Sequence, residues 1–147
     1  NPRRLVRAIE VATRTLEGKG PVVFRGPRYD VLEIGLFAPY PYLANKISKR
    51  VDERIAAGVE EEIKKLREGG VKWTHQAMTS LGYRQWQDYF DGKIARRLVV
   101  EGWKKEEGKY AKRQLTWFKK DKRINWFDVS GGNTLKKVEK LVKKWYS

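Results

Sequence analysis

A mainly α-helical chain with a few short strands is what the 147 residues predict. Three observations carry this expectation. Apolar residues recur at helical spacing in several long stretches, strand-type alternation is confined to two short runs far apart, and glycine or proline marks the boundaries between them. Composition sets the frame. Apolar residues make up 40% of the chain and six are Trp, which argues against a disordered polycation. Lys and Arg number 33 against 18 Asp and Glu, a net charge of +15 that favours polyanionic partners. There are no cysteines and one histidine, so Cys-ligated metals, disulfide scaffolds and thiol chemistry are excluded. The sequence shows no membrane-spanning run and no secretory leader pattern, so a cytoplasmic or organellar setting is expected.

The first helix is expected over Arg3–Glu17, with Pro2 in the first turn, Leu5, Ile9 and Leu16 near helical spacing, and Gly18 as the stop. A basic Gly/Pro loop, Gly18–Arg28, follows, and Tyr29–Phe37 alternates as a strand. From about Tyr42 to Glu68, Leu43, Ile47, Val51 and Ile55 recur every four residues, Ile63 and Leu66 resume the stripe, and Gly58 is the candidate break. His75–Tyr83 has poor periodicity. Arg84–Phe90 reads as a turn or two of helix closed by Asp91-Gly92, and Ile94 to about Asp121 as the longest helix. Ile124–Asp128 is a short strand. Ser130–Asn133 is a turn, and Thr134 is expected to cap a last amphipathic helix carrying Leu135, Val138, Leu141, Val142 and Trp145. Two strands so far apart leave two options: a marginal ribbon, or a sheet completed by strands outside this chain.

Two constellations could carry function. On the long helix, Val99, Trp103, Tyr110 and Trp117 share one face, with Lys105, Lys109, Lys112, Arg113 and Lys120 gathered roughly opposite. Such a helix either lies along a nucleic-acid backbone or presents an ordinary solvated basic face. On the earlier helix, Arg50 flanks the apolar stripe and Arg54 projects inside it; each wants a carboxylate or a phosphate as partner. Glu60-Glu61-Glu62 reads as a solvated helix face rather than a metal site. Neither a Gly-x-x-x-x-Gly-Lys-Ser/Thr phosphate loop nor a Gly-x-Gly-x-x-Gly signature is present.

Three stretches, in order, resemble the tRNA dimethylallyltransferase family. They are Asn1-Pro-Arg-Arg-Leu-Val-Arg-Ala-Ile-Glu-Val11, Ala77-Met-Thr-Ser-Leu-Gly-Tyr-Arg84, and Tyr110-Ala-Lys-Arg-Gln-Leu-Thr-Trp-Phe118 followed by Trp126-Phe-Asp128. The resemblance covers residues 1–128, with 129–147 expected as the C-terminal amphipathic helix of the same domain. It implies an α/β fold with a P-loop-type core in the whole enzyme, this chain being the mainly helical C-terminal half. It further implies transfer of the dimethylallyl group of dimethylallyl diphosphate, with Mg2+, to the adenine 3′ of the anticodon, the base being drawn out of its stack.

The family's phosphate loop and catalytic aspartate lie in an N-terminal P-loop half, so no catalytic residue is expected in this chain and Mg2+ would be held by that half and the diphosphate. Arg4 and Arg50 match arginines near the diphosphate. Thr79, Ser80, Leu81, Gly82, Tyr83 and Arg84 match a tRNA-contacting motif, and Lys109, Tyr110, Lys112 and Arg113 match the end of another. The expected partners are the tRNA anticodon stem-loop, dimethylallyl diphosphate and the N-terminal half; no membrane is expected. Where the family usually carries Thr-Arg, this chain has Glu107-Gly108, a lost cation and a helix-weakening glycine. The alternative from another class is a non-catalytic basic RNA-binding module lacking the nucleotide-binding half.

Overall fold

The computed structural model describes residues 2–18 and 29–147; apart from Gly18, the expected Gly18–Arg28 loop lies outside the described residues, as does Asn1. The chain divides into two compact units, 1–31 and 32–147. In the first, α1 (Pro2–Leu16) opens on proline, and Gly18, at φ 70°, follows its end. Its apolar residues Leu5, Val6, Ile9 and Leu16 are all exposed.

The second unit begins with β1 (Ile34–Phe37), followed by α2 (Tyr40–Ala56) and α3 (Val59–Glu68). Gly58 separates the two helices at φ 93°, a left-handed conformation that glycine adopts without strain. Two 3-10 turns, Gln76–Thr79 and Arg84–Trp86, lead through the single turn α4 (Gln87–Phe90) into α5 (Arg96–Phe118). β2 (Asn125–Asp128) and α6 (Thr134–Tyr146) complete the unit.

β1 pairs with β2 in parallel, Ile34 opposite Asn125 and Phe37 opposite Asp128. The helices between them supply the crossover that parallel pairing needs. The strand expected over Tyr29–Phe37 is therefore only four residues long, because its described partner offers four. Gly35 fits where no side chain would: a Cβ there would stand 2.5 Å from the Ile124 side chain and 2.7 Å from the Trp126 ring.

The core gathers where α2, α3, the 3-10 turns and α5 converge. Val51, Ile63, Met78, Trp86, Val99 and Trp103 are all buried there, ringed by Ile55, Val59, Trp73 and Phe90. Two expectations need correction. The aromatic stripe of the long helix is buried only in its first half: Val99 and Trp103 are inside, whereas Tyr110 is 48% and Trp117 68% exposed. The inward line continues instead through Glu107, Ala111 and Leu115, four residues apart, so an aromatic counted at seven-residue spacing swings outward. Thr134 does not cap α6 either. Its hydroxyl donates to the carbonyls of Asp128 and Gly131, tying the helix start to the preceding turn.

Candidate nucleic-acid interface

The Gly-Tyr-Arg turn is positioned by what lies beneath it. Gly82 is at φ 101° and sits on the Trp103 indole so closely that a Cβ would approach Cζ2 to 2.8 Å. Its N–H donates to the Gln85 Oε1 at 2.8 Å, closing the turn. The neighbouring hydroxyls are used locally: Thr79 Oγ1 donates to the Gln76 carbonyl at 2.8 Å and Ser80 Oγ to the Ala77 carbonyl at 2.7 Å. Tyr83 OH donates to Glu62 Oε1 at 2.9 Å, and that bond, with some desolvation, raises the phenol above its usual range. Glu62 therefore has a specific partner, and so does Glu60, which takes Arg96 at 2.7 Å. The acidic run is more than the solvated face expected of it. Leu81, Gly82, Tyr83, Trp103, Arg54 and Glu62 line a cleft of about 390 Å³ beside the turn.

Arg84 reaches from this turn to α5, where Glu106 accepts it at 3.4 Å and Lys109 at 2.7 Å. The Lys109 hydrogen bond, aided by the charges of Lys109, Arg84 and Arg113, holds the Glu106 carboxyl below its usual range. Residues that sequence placed in two separate motifs thus meet around one carboxylate, with cations in excess. Lys112 points elsewhere, its Nζ 4.0 Å from the centroid of the Tyr40 ring, and Arg113 lies 6.0 Å from that of Tyr110. On the basic side of α5, Lys109 and Lys112 have these specific partners, while Lys105 and Lys120 are exposed.

Glu107 is the residue that sequence reasoning treated differently. It stands at 5% exposure, accepting Arg50 at 2.6 Å, Arg54 at 3.4 Å and the Trp103 Nε1–H at 3.2 Å. Of the two partners open to Arg50 from sequence, the structure shows a carboxylate. Arg50 is nevertheless half exposed, so only part of its five-donor fork is engaged. Gly108 is also buried, and a Cβ there would meet the Tyr40 hydroxyl at 3.0 Å, so positions 107 and 108 both face the protein. Arg4 is exposed on α1, in the other unit. Among the described residues no group of three or more His, Cys, Asp or Glu could hold a metal ion, and no helix is long and apolar enough to cross a membrane.

The IPP transferase family model matches residues 1–121. A tRNA dimethylallyltransferase of Syntrophomonas wolfei is 41% identical over 128 residues, spanning 86% of this chain and 41% of the relative. One from Limosilactobacillus fermentum is 38% identical over 150 residues, spanning 99% of this chain and 47% of the relative. The crystal structure of a full-length tRNA isopentenylpyrophosphate transferase from Bacillus halodurans superposes at a TM-score of 0.66 with 33% identity, over 87% of this chain and 39% of that one. A tRNA delta(2)-isopentenylpyrophosphate transferase from Staphylococcus epidermidis gives 0.72 with 27% identity, over 98% of this chain and 50% of that one. The chain spans at most about half the length of these relatives.

Proposed function

Because the chain belongs to the IPP transferase family, we propose that it is the C-terminal, tRNA-gripping half of a tRNA dimethylallyltransferase. The observation that carries this reading is the meeting of Arg84 and Lys109 at Glu106, next to the Gly82-Tyr83 turn, with the charge of Arg113 nearby. Two cations on one carboxylate, with Arg113 nearby, leave net positive charge for phosphates of an anticodon stem-loop, and phosphate contacts set register without reading sequence. The half-buried Tyr83 ring offers a face for a splayed loop base. Arg50, oriented by Glu107 and half exposed, would turn its remaining donors toward the diphosphate.

In the reaction, the bond between the dimethylallyl carbon and the diphosphate oxygen breaks while the adenine amine forms the new carbon–nitrogen bond. The diphosphate departs with the electron pair and the amine loses one proton. This half contributes grip and charge; the base that takes the proton belongs to the N-terminal half. Among the described residues no donor set fits the Mg2+ that the family implies; the N-terminal half and the diphosphate would hold it.

The test is transfer of labelled dimethylallyl to an anticodon stem-loop, with the 147 residues alone and with an N-terminal P-loop half supplied. Transfer is expected only with both. RNA binding with no transfer in either case would favour a non-catalytic module, and robust turnover by this chain alone would overturn the division of labour.

A further inference from the structure

We propose that the lysine ridge of α6 is a second contact for RNA phosphodiester backbone, separate from the cations around Glu106. The proposal rests on the tRNA reading above for the class of its partner. At about 100° and 1.5 Å per residue, Lys136, Lys140 and Lys144 stand in one row, with steps of about 6 Å and a span of about 12 Å. All three are exposed, while Val138 and Leu141 turn inward and are half-buried. The helix's single carboxylate, Glu139, is taken by Lys143 at 2.6 Å, which leaves the ridge itself without a carboxylate on its own helix.

Helix stability accounts for Lys144, in the last turn, but not for Lys136 in the first. The first turn of α6 carries no acidic residue and two lysines, where the positive end of the helix dipole disfavours a cation. A ligand that gains from positive charge there would be an external anion. The A-form stem of an RNA stacks its phosphates at least as closely along the axis as the roughly 3.4 Å of one B-DNA strand, so a ridge of about 12 Å is long enough to meet three. A lipid surface fits less well. Leu135, Val142 and Tyr146 are exposed along one stripe of the helix, roughly opposite the ridge, so a helix lying on lipid by that stripe would hold the three lysines away from the headgroups.

The test is a salt titration of the full chain against an RNA hairpin. The combined Lys136→Gln, Lys140→Gln and Lys144→Gln variant is expected to flatten the plot of log affinity against log salt by roughly 2–3 units, at about 0.7–0.9 per phosphate. The same three positions changed to Arg should keep the slope, and Lys136→Gln alone should lower it by about one contact. An equal charge loss at the exposed Lys64, Lys65 and Lys72 is expected to leave the slope unchanged. Equal flattening by both triple variants, or none by the ridge variant, would overturn the proposal. So would loss of binding to phosphatidylserine vesicles with RNA binding intact. Failure of dimethylallyl transfer with the ridge effect present would sink the enzymatic reading and leave this one standing.

Discussion

Arg50 and Glu107 lie 57 positions apart and meet at 2.6 Å, a guanidinium on α2 held by a buried carboxylate on α5. Arg54 and the Trp103 indole share the same carboxylate, so one acidic side chain joins two helices and a core aromatic. Removing either partner of a hydrogen bond to a charged group costs about 1.5–3 kcal/mol where the remaining group stays desolvated. Arg50→Ala leaves the buried carboxylate to Arg54 and the Trp103 indole alone and is expected to lower unfolding free energy by about 1.5 kcal/mol, the low end of that range. Glu107→Gln keeps shape and is expected to cost less, since both arginines can turn to water. In urea titrations the double variant should cost less than the two single losses together. Simple additivity would mean that the pair does not couple the helices.

Gly82 and Gly102 make a controlled contrast. Gly82 combines a left-handed φ of 101° with the Trp103 ring 2.8 Å from where a Cβ would stand. Gly82→Ala is therefore expected to destabilise by about 1–3 kcal/mol through strain and overpacking. Gly102, inside α5, has nothing within 4 Å of its would-be Cβ, and Gly102→Ala is expected to stabilise by about 0.5–1 kcal/mol. Thermal unfolding reads both signs; a neutral Gly82→Ala would mean the turn can slide off the indole.

Much of this architecture is legible from sequence where one face of a helix meets one neighbour throughout. Leu43, Ile47, Val51 and Ile55 are such a case, and Gly58 ends their helix because it alone can take the left-handed turn. The stripe on α5 misleads because that helix changes partners along its length: its start packs in the core, while Ala111, Leu115 and Phe118 line a groove with Leu36, Leu43 and Trp126. Glu107 was legible as a departure from the family but not as a buried group, because its burial depends on arginines more than fifty residues away. Glu106 was hidden for the same reason: its role is set by Arg84 across the fold as well as by Lys109 on its own helix.

Asp121 supplies the pH signature. Its carboxyl takes the Arg123 side chain at 2.9 and 2.5 Å and the Arg123 N–H at 3.0 Å, which holds it at about 2 against an ordinary 3.8. A carboxylate depressed on folding contributes stability that is fully present above its unfolded value and is lost as pH falls through its folded one. The acid limb from about pH 4 down to 2 should therefore shallow in Asp121→Asn, with stability near neutrality lowered. Carbon-detected NMR should show Asp121 titrating near the bottom of that window. A midpoint near 4 would mean that Arg123, which also reaches Glu33 at 3.2 Å, spends its charge on Glu33, just before β1, instead.

Tyr83 separates two roles that one side chain can play. Its hydroxyl donates to Glu62, and its ring lines the cleft beside the Gly82 turn. Tyr83→Phe removes only the hydrogen bond, a loss of about 1 kcal/mol for a pair that stays open to water, and keeps the aromatic face. Tyr83→Ala removes both. If the ring stacks on a splayed loop base, Tyr83→Phe should bind a hairpin RNA nearly as well as wild type. Tyr83→Ala should then weaken hairpin binding by roughly 1–3 kcal/mol, the usual worth of a base–aromatic stack, while binding to a plain duplex barely moves. Should both variants weaken hairpin and duplex alike, the tyrosine matters through its bond to α3, and the turn, not the ring, faces the RNA.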